Sequence, residues 1–201
     1  AIDYHNLGFT GVIWIEASHE FAAAASQLVE KYPNQIVVQA ALWNISGVQL
    51  DLRIASNGAS SSFRGFADHA SIFPDIKMIG IEKITTTTLD DVLKDELAGG
   101  LLVLDLQGVE LQVLQGAKRS LLKFEYVICE VSKREIYSNQ GSWQEVSEEL
   151  TNHGFTLVDW TFDPNYGYGN ALYTRNSQYV SLNRVLRKGL TLFSATMIGI
   201  K

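Results

Sequence analysis

The chain has 201 residues, 46% apolar and 19% charged, a balance that suits one globular domain with a sizeable core and excludes a disordered segment. A net charge of −6 argues against a general nucleic-acid binder, which would carry a basic face. One cysteine excludes an intrachain disulfide framework, and no stretch approaches the roughly 20 apolar residues that span a bilayer. With no signal-peptide pattern at the start, a cytoplasmic setting is the expectation.

Residues 11–15 (GVIWI) form a compact apolar run that ends at Glu16. Ser18 offers a cap for a helix over 20–32, which must stop before Pro33 and Asn34. Residues 35–42 follow as a buried strand, so strand, helix and strand make one βαβ unit. Residues 44–56 suit a hairpin with 44–47 as its turn and Val48, Leu50, Leu52 and Ile54 alternating with polar residues. The Ser-, Asn- and Gly-rich residues 56–71 read as a loop too long for a mere connector, and so as a candidate functional segment. A strand over 79–88 leads to Thr88, which can cap a short helix with Asp91 in its first turn.

Leu101, Leu102, Val103 and Leu104 show no polar alternation, the mark of a strand covered on both faces in a parallel sheet. Asp105 ends the run, Gly108 permits a tight turn, and Val109, Val113, Leu114, Ala117 and Leu121 then fall close to one face of a helix. Residues 124–131 form the next strand, with Cys129 buried inside it and Glu130 at its end. A helix over 143–151 is capped by Ser142 and stopped at Asn152, His153 and Gly154. Residues 155–160 and 171–175 make an antiparallel pair, because no helical pattern fits between them. From 176 to 201 the chain changes character: Arg184, Arg187 and Lys188 precede an apolar tail, either packed on its own domain or suited to a partner or membrane surface.

In open parallel sheets ligands bind outside the carboxyl ends of the strands, where this order puts Glu16, Asp105 and Gln107. Asp105 then either caps the helix that follows or faces a ligand. In doubly wound nucleotide folds a carboxylate at the end of the second strand accepts hydrogen bonds from ribose hydroxyls, ~20 residues after a glycine-rich turn. Glu16 matches that carboxylate, whereas the glycine turn would fall before residue 1, so the first strand is expected to be missing from this chain, the alternative being a smaller sheet that needs no such strand.

Val12-Ile13-Trp14-Ile15-Glu16-Ala17, the serine loop Gly58-Ala59-Ser60-Ser61-Ser62, Thr87-Thr88-Leu89-Asp90 and Leu104-Asp105-Leu106-Gln107-Gly108-Val109-Glu110-Leu111 occur in that order, with Leu114-Gln115-Gly116-Ala117 behind them. Together with Glu130-Val131 and Gly169-Asn170-Ala171-Leu172-Tyr173, they resemble the FkbM-type S-adenosylmethionine-dependent methyltransferases over residues 4–175. The resemblance implies an α/β fold: a Rossmann-like, doubly wound sheet of the class I methyltransferase type, mostly parallel with an antiparallel C-terminal strand pair. That domain would occupy residues 1–175 and leave 176–201 as a basic and apolar extension. It also implies S-adenosylmethionine as cofactor and O-methylation of a hydroxyl on a sugar or glycan-linked small molecule.

By the family's pattern, Glu16 and Ala17 would hold the ribose, the segment 40–42, with Ala41 and Leu42 in it, would pass near the adenine, and Asp105 with Gln107 would lie close to the methyl group. Ser61, Ser62, Glu110 and Tyr137 would line or brace the substrate pocket. An alcohol is a poor nucleophile until its proton begins to leave, and Asp105, Glu130 and His69 are the candidate bases. Alternatively, Asp105 and Glu130 hold a divalent metal that acidifies the hydroxyl, and His69 serves only a loop hydrogen bond. Trp160, Phe162, Tyr166 and Tyr168 either stack on a sugar or close the end of the sheet, and His153 reads as structural. The missing glycine turn supports a second reading, a non-catalytic module of the same fold that binds a glycan or partner protein.

Overall fold

The computed structural model describes residues 2–94 and 100–175, and the extension over 176–201 lies outside the described residues. Helix α1 (Ile2–Asn6) leads to strand β1 (Val12–Glu16), with the Tyr4 ring edge-on to Trp14 at 5.2 Å. Helix α2 (His19–Val29) crosses to β2 (Gln35–Gln39), which pairs in parallel with β1 and sets Ile13 opposite Ile36. This is the expected βαβ unit. Ser18 stands at the N-cap position, yet its side chain makes no cap bond; its N–H donates to the Glu16 carboxylate at 2.8 Å.

The run expected as one strand over 35–42 is two. The Ala40 N–H donates to the Glu16 carbonyl, after which the chain leaves β1. Strands β3 (Ala41–Leu42) and β4 (Gln49–Ala55) both join β5 (Met78–Thr87), β3 in parallel and β4 antiparallel, so β5 lies between them. The hairpin expected over 44–56 is thereby corrected: the alternating strand exists, but its partner is β5. Thr86 supplies the reason. Its buried hydroxyl donates to the Ile45 carbonyl at 2.8 Å and accepts the Val48 N–H at 3.1 Å, while its backbone bonds Gly47 and Val48. The turn's polar groups are thus satisfied from a distant strand.

Helix α3 (His69–Ile72) lies in the connection between β4 and β5. Helix α4 (Leu89–Leu93) is capped by Thr88, whose hydroxyl accepts the Asp91 N–H at 3.1 Å. After β6 (Leu101–Leu104), the helix expected over 109–121 is split at Gly116 into α5 (Glu110–Gln115) and α6 (Lys118–Leu121). A Cβ at Gly116 would stand 2.3 Å from the Trp43 carbonyl oxygen, so the break lets the chain after β3 pass in contact. Gly116→Ala should therefore lower stability by about 1–3 kcal/mol, seen as an earlier urea midpoint. An unchanged midpoint would mean that the two backbones separate there without cost.

Strand β7 (Tyr126–Ser132) pairs in parallel with β6. Helix α7 (Trp143–Asn152) opens with a capping box between Ser142 and Glu145, and β8 (Thr156–Phe162) and β9 (Tyr168–Thr174) form the expected antiparallel pair. The strand order is β6-β7-β9-β8. Helices α5 and α7 bury Val113, Leu114, Val146 and Leu150 against Val127, Cys129 and Tyr173 on one face of this sheet. The Tyr173 hydroxyl, inside that core, accepts from Trp143 Nε1 at 3.1 Å and bonds Ser147 at 2.6 Å. Ile128 and Leu172 pack on the opposite face.

The architecture is mixed α/β. Among the described residues the strands form three sheets of two, three and four strands and not one continuous doubly wound sheet. Pairings are three parallel and three antiparallel, a mixed pattern whose antiparallel contacts come from β4, β8 and β9. No helix among the described residues is long and apolar enough to cross a membrane.

Candidate functional site

The carboxyl ends of β1 and β6 open on one cavity of about 190 Å³, lined at one end by Glu16 and Ala17 and at the other by Asp105 and Gln107. Ala40, Leu42, Leu52 and Phe21 give apolar walls, and the serine loop contributes Ser61 and Ser62. Ala41, expected beside the adenine, does not line the cavity; strand alternation turns it away and its neighbours Ala40 and Leu42 inward. Burial raises the Glu16 carboxyl above its usual range, against hydrogen bonds from the Ser18 and Ala17 N–H groups that favour its charge.

The turn after β6 is held by side chains. Gln107 and Gly108 both have left-handed backbone, φ 55° and 95°, and a Cβ at Gly108 would stand 2.8 Å from Tyr137 Cβ. Ser62 Oγ donates to the Gln107 carbonyl at 2.6 Å, and Arg64 Nε donates to the Gly108 carbonyl at 3.0 Å. Glu110 Oε1 accepts the N–H groups of Leu106 at 2.8 Å and Gly108 at 3.3 Å. Glu110 is buried and outside the cavity, so it braces the turn from beneath; burial pushes its carboxyl up to about 7.

Fixed in that turn, the Gln107 amide donates from Nε2 to Asp105 and, at 3.4 Å, to Glu130 Oε2, while its Oε1 accepts from the Tyr137 hydroxyl at 2.5 Å. Burial raises both carboxyls, Glu130 well above its usual range. The Asp105 charge pushes Glu130 further, and a hydrogen bond between the two lowers Asp105 while raising Glu130. Two carboxylates this close do not both ionise, so the pair titrates as a unit, with burial and the Asp105 charge favouring the shared proton on Glu130. Asp105 is the member that reaches the cavity wall; Glu130 and Tyr137 stand behind it.

His69 is buried and away from the cavity lining. Its Nε2 meets Ser60 Oγ at 3.1 Å, its ring stacks on Phe66 at 3.8 Å, and burial lowers its pKa. The aromatic residues divide. Trp160 and Phe162 pack with Trp143, whereas Tyr166 and Tyr168 gather at Phe73. His153 bonds the Glu149 carbonyl at the end of α7. Among the described residues no group of three or more His, Cys, Asp or Glu side chains is arranged to hold a metal ion.

Sequence reasoning missed Arg64, Phe63 and Ser60. Arg64 is one ordinary charge in a polar loop, and only the fold brings it to Gly108, 44 residues on. Ser60 differs from Ser61 and Ser62 only in the direction the loop gives it.

Parallel strands deliver two acids to a shared cavity, with a third acid behind one of them, an arrangement of a mixed α/β protein that is consistent with a methyltransferase-like fold. Residues 4–157 match the family model described as the methyltransferase FkbM domain, and the chain belongs to that family of methyltransferases. Comparison with curated proteins and with solved structures returned no match.

Proposed function

We propose that the chain is an S-adenosylmethionine-dependent O-methyltransferase acting on a hydroxyl of a sugar or glycan-linked small molecule. The observation that carries this reading is the cavity between Glu16 and Asp105, which offers a diol acceptor at one end and a base at the other. The residues fit the nucleoside and sulfonium portions of that cofactor. Glu16, anchored by the Ser18 N–H, would take the ribose hydroxyls; Ala40, Leu42 and Phe21 would flank the base; the Asp105 carboxylate would lie toward the positive sulfur.

The cofactor supplies an electrophilic methyl group on a positively charged sulfur. Asp105, ionised while Glu130 keeps the shared proton, would accept the proton of the attacking hydroxyl. Burial makes it a stronger base than a surface aspartate. Gln107 keeps Asp105 oriented, and Phe63 and Val109 help exclude water, so alignment of the two reactants supplies the rest of the rate.

S-adenosylhomocysteine titrated by calorimetry should bind the chain, and Glu16→Ala should weaken binding by about 10- to 100-fold, as expected for hydrogen bonds to an ionised group. Equal affinity in the two chains would remove Glu16 from the cofactor site. No binding to either would favour the glycan-binding module.

A further inference from the structure

The face of the sheet β6-β7-β9-β8 that turns away from α5 and α7 ends in a rim of side chains outside the cavity lining. Paired residues of neighbouring strands point to the same side, and Ile128 opposite Leu172 marks this side as the one that also carries Leu101, Val103 and Val158. Two residues on, the row changes. Glu130 stands opposite Asn170, Asn170 stands opposite Thr161, and Asp105 comes two residues after Val103 at the end of β6. An apolar row thus gives way to hydrogen-bonding side chains from all four strands. Gln107 bonds the two acids, whereas among the described residues the half-buried Asn170 amide has no hydrogen-bond partner, and Thr161 is exposed. Polar groups left open at the edge of a core are available to a ligand.

Aromatic rings close one side of this rim. Tyr168 stands in the next row, opposite Ser132, and its ring is nearly parallel to that of Tyr166, with 6.1 Å between centroids and 18° between planes. Phe73 neighbours both, 5.3 Å from Tyr166 and 6.4 Å from Tyr168, and all three rings are half-buried. The ring contacts continue through His69 and Phe66 to Tyr137, which bonds Gln107. Rings and acids therefore belong to one place. Flat apolar surface beside open hydrogen-bonding groups suits a sugar, which has C–H groups on the faces of its ring and hydroxyls around its edge. Charge narrows the class. Of the cations just beyond β7, Lys133 lies over the Phe162 ring at 4.4 Å and Arg134 is paired with Asp68 at 2.8 Å, so an anionic ligand would meet the acid pair instead.

We propose that this rim holds the methyl acceptor as a neutral sugar: Tyr166 and Tyr168 take a face of its ring, Asn170 and Thr161 bond its hydroxyls, and one hydroxyl meets Asp105. Adjacent strands are about 4.8 Å apart, so Asn170 lies two strands, about 10 Å, from Asp105, a span that one sugar ring with a hydrogen bond at either side bridges. The cofactor then reaches Asp105 from the Glu16 side and the acceptor from the Asn170 side. The role as acceptor rests on the methyltransferase reading; the binding of a sugar does not.

The test is saturation-transfer NMR on the whole chain with the methyl glycosides of glucose, galactose, mannose and fucose as probes, and glucose 6-phosphate as the anionic control. At least one glycoside should receive saturation, and glucose 6-phosphate should bind less well than methyl glucoside. Asn170→Ala and Tyr166→Ala should each weaken binding by about 3- to 10-fold, the worth of one hydrogen bond or one aromatic contact. Trp160→Ala, on the opposite face of the sheet beside Trp143, should leave it unchanged. Tyr166 lies between β8 and β9 and outside the core clusters, so it decides alone should Asn170→Ala fail to fold.

No saturation of any glycoside, unchanged affinity in both Asn170→Ala and Tyr166→Ala, or tighter binding of the phosphate would overturn the proposal. S-adenosylhomocysteine calorimetry on the unaltered chain separates the two readings. Its binding without that of any glycoside sinks the sugar site alone, whereas glycoside binding without it removes the methyltransferase reading and, with it, the acceptor role.

Discussion

Replacing Asp105 with Asn is expected to lower methyl transfer by about 10²- to 10⁴-fold, the usual worth of a positioned base, while the chain stays folded. The carboxylate stands at the cavity wall with its partner acid behind it, and an amide there keeps the size but cannot take a proton. Affinity for S-adenosylhomocysteine should fall far less, because that ligand carries no methyl to transfer and asks for no proton removal. The pH profile gives an independent reading. Asp105 works in its ionised form and burial raises its pKa, so the rate should climb with pH through a value above the usual aspartate range and then level off. In the Asp105→Asn variant that limb should vanish from whatever activity is left. Turnover equal to that of the unaltered chain would remove Asp105 as the base.

Two of the site's anchors could be read from the chain because each follows directly on a local pattern. Glu16 ends an apolar strand and Asp105 follows another, and the strands carried both to the cavity. Helix α7 was equally legible from Ser142 and Glu145, whose spacing is the capping box itself. What could not be read depends on partners far apart in sequence. The break at Ala40 arises because Ala41 and Leu42 pair with β5, and Arg64 reaches the Gly108 carbonyl only once the fold has brought the two loops together. Of the segment 40–42, Ala40 and Leu42 line the cavity and Ala41 does not: alternation fixes which residues share a face, while the choice of face comes from packing. Gly116 did carry a signal for the split helix, since glycine inside an apolar helical pattern often marks a break or a close approach.

Glu110→Gln should stabilise the chain progressively as the pH rises. The unperturbed carboxyl titrates near 4.5 and burial lifts it to about 7 in the folded protein, so the folded state holds this proton more tightly than the unfolded chain. Folding therefore loses stability on this account as pH rises from 4.5 to 7, with no penalty below that window and the full penalty above it. The difference corresponds to roughly 3 kcal/mol. An amide keeps an oxygen for the Leu106 and Gly108 N–H groups, and whatever its NH2 costs in that buried place is the same at every pH. The quantity to measure is thus the swing in the stability difference between the two chains from about pH 4 to about pH 8, by urea unfolding. A swing of a few kcal/mol in favour of the variant is expected, and a flat difference would mean that Glu110 titrates as an ordinary carboxyl. The ionised form has a compensating virtue: its bonds to the two N–H groups are charge-assisted and hold the turn beneath Gln107 more firmly than an amide can. The same variant should accordingly gain stability above neutral pH and lose methyl-transfer rate there, because the left-handed backbone of Gln107 and Gly108 depends on that grip.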